Sequence, residues 1–180
     1  MYLLPPCKLA RRWLVVVNRR TEGEMLHMTE STLSTESTLM DLAGHYSAAW
    51  AHHDTDAILA LHSEDSVFEV HGGGLKATGL TEIRKALDTF FATWTQARFE
   101  SRGVLFGKGH FVADWILHAT IVSPAGVMGT QAIAATSQDI AIEGVDIIRV
   151  LNRRVTRKDT YIDALTLQAQ LGSTPIPTFG

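Results

Sequence analysis

One cysteine, Cys7, stands in the 180-residue sequence, so no intramolecular disulfide framework holds this chain together. That usage suits a reducing compartment and sets the expectation of a cytoplasmic protein. Excess charge is lacking too: a net charge of -3 gives no electrostatic case for binding nucleic acid. The apolar run Trp13 to Val17 is too short to span a bilayer, and its surroundings lack the ordered regions of a secretory signal, so no membrane partner is expected. Also missing are a Gly-x-Ser-x-Gly elbow, a dinucleotide fingerprint and a cysteine nucleophile, which disfavours covalent and cofactor-dependent chemistry. The histidines are scattered, and His52-His53 are adjacent rather than one helical turn apart, so neither a metal nor a cofactor is expected.

What is there describes one ordinary globular domain, 46% apolar and 19% charged. Residues 1–38 are expected to be a disordered extension, or partly to lie upstream of a true translation start at Met28, ending in a Ser/Thr-rich lead-in from Thr29 to Thr38. Intact-mass measurement of the native protein tests that start: a mass including residues 1–27 rules it out. The domain itself is expected over 39–172, followed by a flexible tail at 173–180.

Within the domain, Leu39, Leu42, Ala43, Tyr46, Ala49 and Trp50 keep helical spacing and predict a first helix. Asp54 is the expected N-cap of a second, Thr55 to His62, ended by Ser63-Glu64-Asp65. Val67 to His71 alternates like a strand and stops at Gly72-Gly73-Gly74, which lack the setting of a phosphate loop and are taken as a turn. A third helix is expected from Thr81 to Trp94, capped by Thr81. Strands follow at Arg98 to Phe106 and His110 to Val122 around a Gly-Lys-Gly turn. The interval 123–138 is left open. A hairpin is expected over Ile142 to Asp163, broken at Asn152-Arg153-Arg154, and a short helix over Ala164 to Leu171. Helices ahead of mainly antiparallel strands make an α+β order, a curved sheet wrapped over helices with a pocket between.

The hairpin carries the residue that most needs explaining. Alternation places Asp146 on the face of Gly144, Ile148 and Val150, and a carboxylate in an apolar row is costly unless it is paired, protonated or used.

From Tyr46 onward several strings resemble the nuclear transport factor 2-like superfamily, especially its SnoaL-like branch. Tyr46-Ser-Ala-Ala-Trp50, Asp54-Thr-Asp-Ala-Ile58 and Ser63-Glu-Asp-Ser-Val-Phe68 look like its first two helices and first strand. Gly79-Leu-Thr-Glu-Ile-Arg84 resembles the start of its third helix. Gly144-Val-Asp-Ile-Ile148 and Arg157-Lys-Asp-Thr-Tyr-Ile-Asp163 resemble its last two strands. The resemblance implies a cone-shaped cystatin-like α+β fold, a homodimer through the sheet, and a deep pocket for an apolar small-molecule ligand. It says less about reaction, because one fold hosts many activities.

Against ketosteroid isomerase, Tyr46 falls where that enzyme has its oxyanion tyrosine and Asp146 where it holds a protonated aspartic acid. A phenol and a neutral acid could both donate to one developing enolate oxygen. The position of that enzyme's base, however, falls on Val70. Glu69 and His71 flank it but alternate to the opposite face unless the glycine turn introduces a bulge. Asp114 becomes the substitute base if its strand register differs by one. The catalytic candidates are therefore Tyr46, Asp146, His71, Glu69 and Asp114, with the base unassigned among the last three. The resemblance to limonene epoxide hydrolase fails at Trp115, Leu117 and Thr160, where its Asp-Arg-Asp set would stand. A scytalone dehydratase-like site would need histidines, for which only His71 and His118 offer themselves.

Trp50, Val70, Trp94, Trp115, Lys158 and Thr160 are the expected substrate-binding residues. Lys158 could pair with Asp146, which would undo the protonated-acid role, or bind an anionic ligand. Asp159 and Asp163 are expected at the solvated edge or beside Arg157 and Arg149. Tyr46 is either a pocket phenol or a core aromatic. The function expected is that of a cofactor-free isomerase, cyclase or dehydratase acting on an apolar carbonyl compound, or of a non-catalytic ligand-binding or dimerising module.

Overall fold

The computed structural model describes residues 30–72, 74–122 and 137–171. Along them run α1 (Glu30–Ala51), α2 (Thr55–Ala60), β1 (His62–His71), β2 (Leu75–Thr78), α3 (Gly79–Thr93), β3 (Trp94–Gly107), β4 (His110–Ile121), β5 (Gln138–Leu151), β6 (Arg154–Ile162) and α4 (Ala164–Gln170). Six strands form one curved sheet in the order β2-β1-β6-β5-β4-β3. Only β1 and β6 run parallel; the other neighbours are antiparallel, as the α+β reading expected. The register shifts in β1 between His62 and Val67, in β3 between Thr95 and Arg98 and between Ser101 and Gly103, and in β6 at Thr156, between the partners of Arg149 and Val150. Such irregularities bend strands, which helps a sheet wrap around the helices.

Local signals explain most element boundaries. The Asp54 carboxylate accepts from the backbone N–H of Ala57 at 2.9 Å and caps α2. Asn152 and Arg153, both at positive φ, make the two-residue turn of the β5–β6 hairpin. Elsewhere the structure corrects the sequence reading. Helix α1 begins at Glu30, so the Ser/Thr-rich lead-in is helical: these residues cost only about 0.5 kcal/mol each in a helix, and a helix already nucleated propagates through them. Helix α3 starts at Gly79, with Thr78 rather than Thr81 at the cap; the Glu82 carboxylate accepts from the Thr78 backbone N–H at 2.8 Å. Strand β2 was not expected at all. The end of α2 falls at Ala60, and His62, taken for its last residue, opens β1. The expected features at 1–27 and 173–180, and nearly all of the open interval 123–138, lie outside the described residues.

Two apolar clusters make the core. One joins α1, α2, α3 and the β1 side of the sheet through Leu42, Tyr46, Ile58, Val70, Leu87 and Ile148. The other gathers Trp94, Trp115, Leu117, Ile142 and Leu167, with α4 covering its edge. Trp115 stands opposite Gly144 in the β4–β5 ladder, and its indole fills the space where a side chain at 144 would go. That glycine lets the large ring lie flat against the strand.

Candidate functional site

A cavity of about 720 Å³ draws its walls from both clusters. Its lining is mainly apolar and aromatic, and Trp50 organises it: edge-on contacts join its indole to Tyr46, Phe68, Phe90, Phe91 and Phe99 at centroid distances of 5.7–6.3 Å. All of the expected substrate-contacting residues, Trp50, Val70, Trp94, Trp115, Lys158 and Thr160, line this space, and Tyr46 and Asp146 join them.

A polar group sits inside it. Lys158, its side chain 4% exposed, places Nζ 2.5 Å from Oδ1 of Asp146, itself 13% exposed. The Lys158 ammonium also donates to Thr160 Oγ1 at 2.7 Å, and the Thr160 hydroxyl donates to the same Asp146 oxygen at 2.7 Å. The alternation of β5 and β6 produces this triangle, because Asp146 and Thr160 are register partners and Lys158 lies two residues away on the same face. Above it Lys158 Nζ lies 5.1 Å from the centre of the Trp50 ring and 5.2 Å from that of Phe68. Burial pushes the Lys158 pKa below the ordinary lysine range, and the carboxylate of Asp146 opposes it without cancelling it. Asp146 is therefore a paired acid engaged by two donors, rather than the free protonated acid of the isomerase comparison.

Tyr46 is also engaged. Its hydroxyl lies 2.9 Å from His62 Nε2, and His62 Nδ1 lies 3.0 Å from Ser66 Oγ, a buried chain behind the cavity wall. Burial holds the Tyr46 hydroxyl far above the ordinary tyrosine range. Burial, followed by the positive charge of Lys158, lowers His62 from 6.5 to about 4, so its imidazole is neutral near pH 7. Sequence reasoning missed His62 and Ser66. Ser66, Phe68 and Val70 alternate inward, but exposed Glu64 and Asp65 interrupt that pattern before His62 and mimic a loop.

The proposed bases lie elsewhere. No bulge forms near the glycine turn, so Glu69 and His71 face away from the cavity, where Arg157 donates to Glu69 at 2.6 Å and His71 Nε2 meets Asp159 at 2.8 Å. Asp114 belongs to the cavity wall, yet its half-exposed carboxylate is directed to Arg102 at 4.0 Å. His118 likewise turns outward, to Glu100. Asp159 has the expected arginine partners but is not edge-solvated: it is 3% exposed between Arg157, Arg149 and His71. Burial works against its carboxylate, but these donors outweigh burial and hold its pKa below the ordinary range. Asp163 caps α4 instead of pairing with an arginine, accepting from the backbone N–H of Thr166 at 2.9 Å. Glu69, His71 and Asp159 bring ligand-type atoms within 4.8 Å of one another, but the Arg157 guanidinium contacts both carboxylates and supplies the positive charge there.

The comparisons agree with this fold. The family model of the SnoaL-like domain matches residues 43–158. A protein of ketosteroid isomerase-like fold from Catenulispora acidiphila DSM 44928, solved with trimethylamine, shares 16% identity over 74% of this chain and 94% of its own, with a TM-score of 0.61. A candidate SnoaL-like polyketide cyclase from Shewanella putrefaciens CN-32 is 24% identical over 75% and 96%, TM-score 0.62. One from Shewanella denitrificans OS-217 is 23% identical over 75% and 97%, TM-score 0.63. No protein of curated function matches the chain at the sequence level. No described helix is long and apolar enough to cross a membrane.

Proposed function

The chain belongs to the SnoaL-like domain family, and from that premise we propose that its cavity takes an apolar, carbonyl-bearing small molecule for cofactor-independent acid–base chemistry, an isomerisation, cyclisation or dehydration. The observation that carries this reading is the Lys158–Asp146–Thr160 triangle at the wall of an otherwise apolar cavity. Lys158 is the donor for a carbonyl oxygen that gains charge, and Asp146 is the nearest acceptor for a proton leaving the adjacent carbon. Its Oδ2 takes part in neither of the contacts to Lys158 and Thr160. Tyr46, whose hydroxyl reaches His62, positions the Trp50 wall and is placed to donate to ligand only in the tautomer where Nε2–H of His62 donates to it.

Titration of a substituted phenol, a mimic of an enolate, tests the reading. Affinity is expected to fall about tenfold in Asp146→Asn and in Lys158→Met. Indifference to both changes would remove the polar triangle from function and favour a plain ligand-binding module.

We also propose a homodimer through the outer face of the sheet, supported by the exposed Tyr161 stacked 4.3 Å from His71 on that face. Light scattering on the purified chain decides it, a monomeric mass being the contrary result. A cytoplasmic setting completes the reading, on the strength of the single cysteine.

A further inference from the structure

We propose that Lys158 is a covalent capture residue, forming an imine with an aldehyde or ketone held in the cavity between Trp50, Phe68 and the Asp146–Thr160 pair. The inference rests on the cavity reading above and replaces the hydrogen bond from Lys158 to the carbonyl oxygen with a bond to the carbonyl carbon. Four observations carry it. Of the lysines among the described residues, Lys76, Lys85 and Lys108 are exposed, whereas Lys158 is only 3% exposed within the cavity wall. Its Nζ packs against two aromatic rings that help shut water out; that desolvation favours the uncharged amine, although the ring faces themselves attract an ammonium. A carboxylate sits within proton-transfer distance at 2.5 Å. A hydroxyl bridges that acid and the amine, with 2.7 Å to each. Burial also lowers the lysine pKa, which raises the share of free amine. No local motif marks such a nucleophile; strand pairing makes it.

The step balances without an added reagent. Lys158 passes a proton to Asp146, and its lone pair attacks the carbonyl carbon as the C=O π bond opens and the oxygen takes the proton back. The nitrogen of the resulting carbinolamine returns a proton to Asp146. That proton then goes to the hydroxyl, the C–O bond breaks, water leaves, and the nitrogen lone pair closes the C=N bond. The product is a protonated imine beside the Asp146 carboxylate, so one ion pair replaces another of the same sign. The titratable groups around Nζ are Asp146 directly, with Asp159 and the neutral imidazole of His62 at longer range. Such an iminium withdraws electrons from the neighbouring carbon, the activation that isomerisation and cyclisation need.

Cinnamaldehyde with cyanoborohydride tests the proposal on the full chain, with binding of cinnamyl alcohol measured in parallel. Trapping is expected on the peptide carrying Lys158, several-fold above the peptides carrying Lys76, Lys85 or Lys108, because burial lowers its pKa and raises its share of free amine. In Lys158→Arg, which keeps a charge beside Asp146, the adduct at this peptide is expected to vanish. Adducts confined to Lys76 and Lys85 at the cavity mouth would overturn the proposal. Binding of the alcohol without trapping of the aldehyde would overturn it as well while leaving the cavity reading intact. Absence of both would overturn the two together. Because the wild-type peptide map locates the bond directly, the result does not depend on the variant folding.

Discussion

Tyr46 and His62 lie 2.9 Å apart, hydroxyl to Nε2, and that contact ties the phenol expected in catalysis to a histidine outside the cavity lining. Replacing Tyr46 by Phe keeps the ring and leaves a buried imidazole nitrogen without its partner. A loss of about 1–3 kcal/mol in stability to chemical denaturation is expected. Unchanged stability with a large loss of affinity for a phenol probe would instead assign the hydroxyl to the ligand.

His62 also makes stability depend on pH. Its folded value of about 4 lies below the ordinary 6.5, so between these limits the unfolded chain binds the proton more readily. Stability from this group is complete above pH 6.5, falls as pH drops toward 4 and levels off below. The total over that window is about 3 kcal/mol. Urea unfolding at a series of pH values is expected to show this slope, and His62→Gln is expected to flatten it.

The Lys158–Asp146 pair is buried, so breaking it should cost more than removing it. Lys158→Met leaves a carboxylate that is 13% exposed beside a methyl group and is expected to lose about 3–5 kcal/mol. Adding Asp146→Leu is expected to restore most of that stability. If the two losses simply add, the pair is not coupled and the triangle is misassigned.

Gly144 is expected to resist enlargement. A Cβ there falls on the six-membered ring of Trp115, which must then move into the cavity. Gly144→Val is expected to cost about 1–3 kcal/mol by overpacking and to shrink the ligand space. Thermal unfolding and phenol titration of the one variant report both effects. A stable variant with unchanged affinity would mean that the indole has room to turn.

Inward and outward assignments were legible wherever alternation ran unbroken. Lys158 and Thr160, two apart on the last strand, were expected to contact substrate and do line the cavity. Val70 was expected inward and its neighbours Glu69 and His71 outward, and the register of β1 with β6 places them so. Where exposed polar residues interrupt the pattern, legibility ended: Glu64 and Asp65 hid the first half of β1, and with it His62 and Ser66. The role of Asp163 was unreadable for another reason. A carboxylate before Ala164 serves equally as a helix cap or an ion-pair partner, and only the start of α4 decides between them.

The amino-acid sequence by itself determined the order of the helices and the longer strands, the two faces of each regular strand and the presence of a carboxylate in an apolar row, because periodicity is a local property of the chain. Tertiary structure alone decided the partners of that carboxylate and of Tyr46. Lys158 reaches Asp146 across the β5–β6 ladder, and His62 reaches Tyr46 from the strand below α1. Whether a buried polar group is paired, and with what, depends on distances between segments remote in sequence, and no local pattern encodes them.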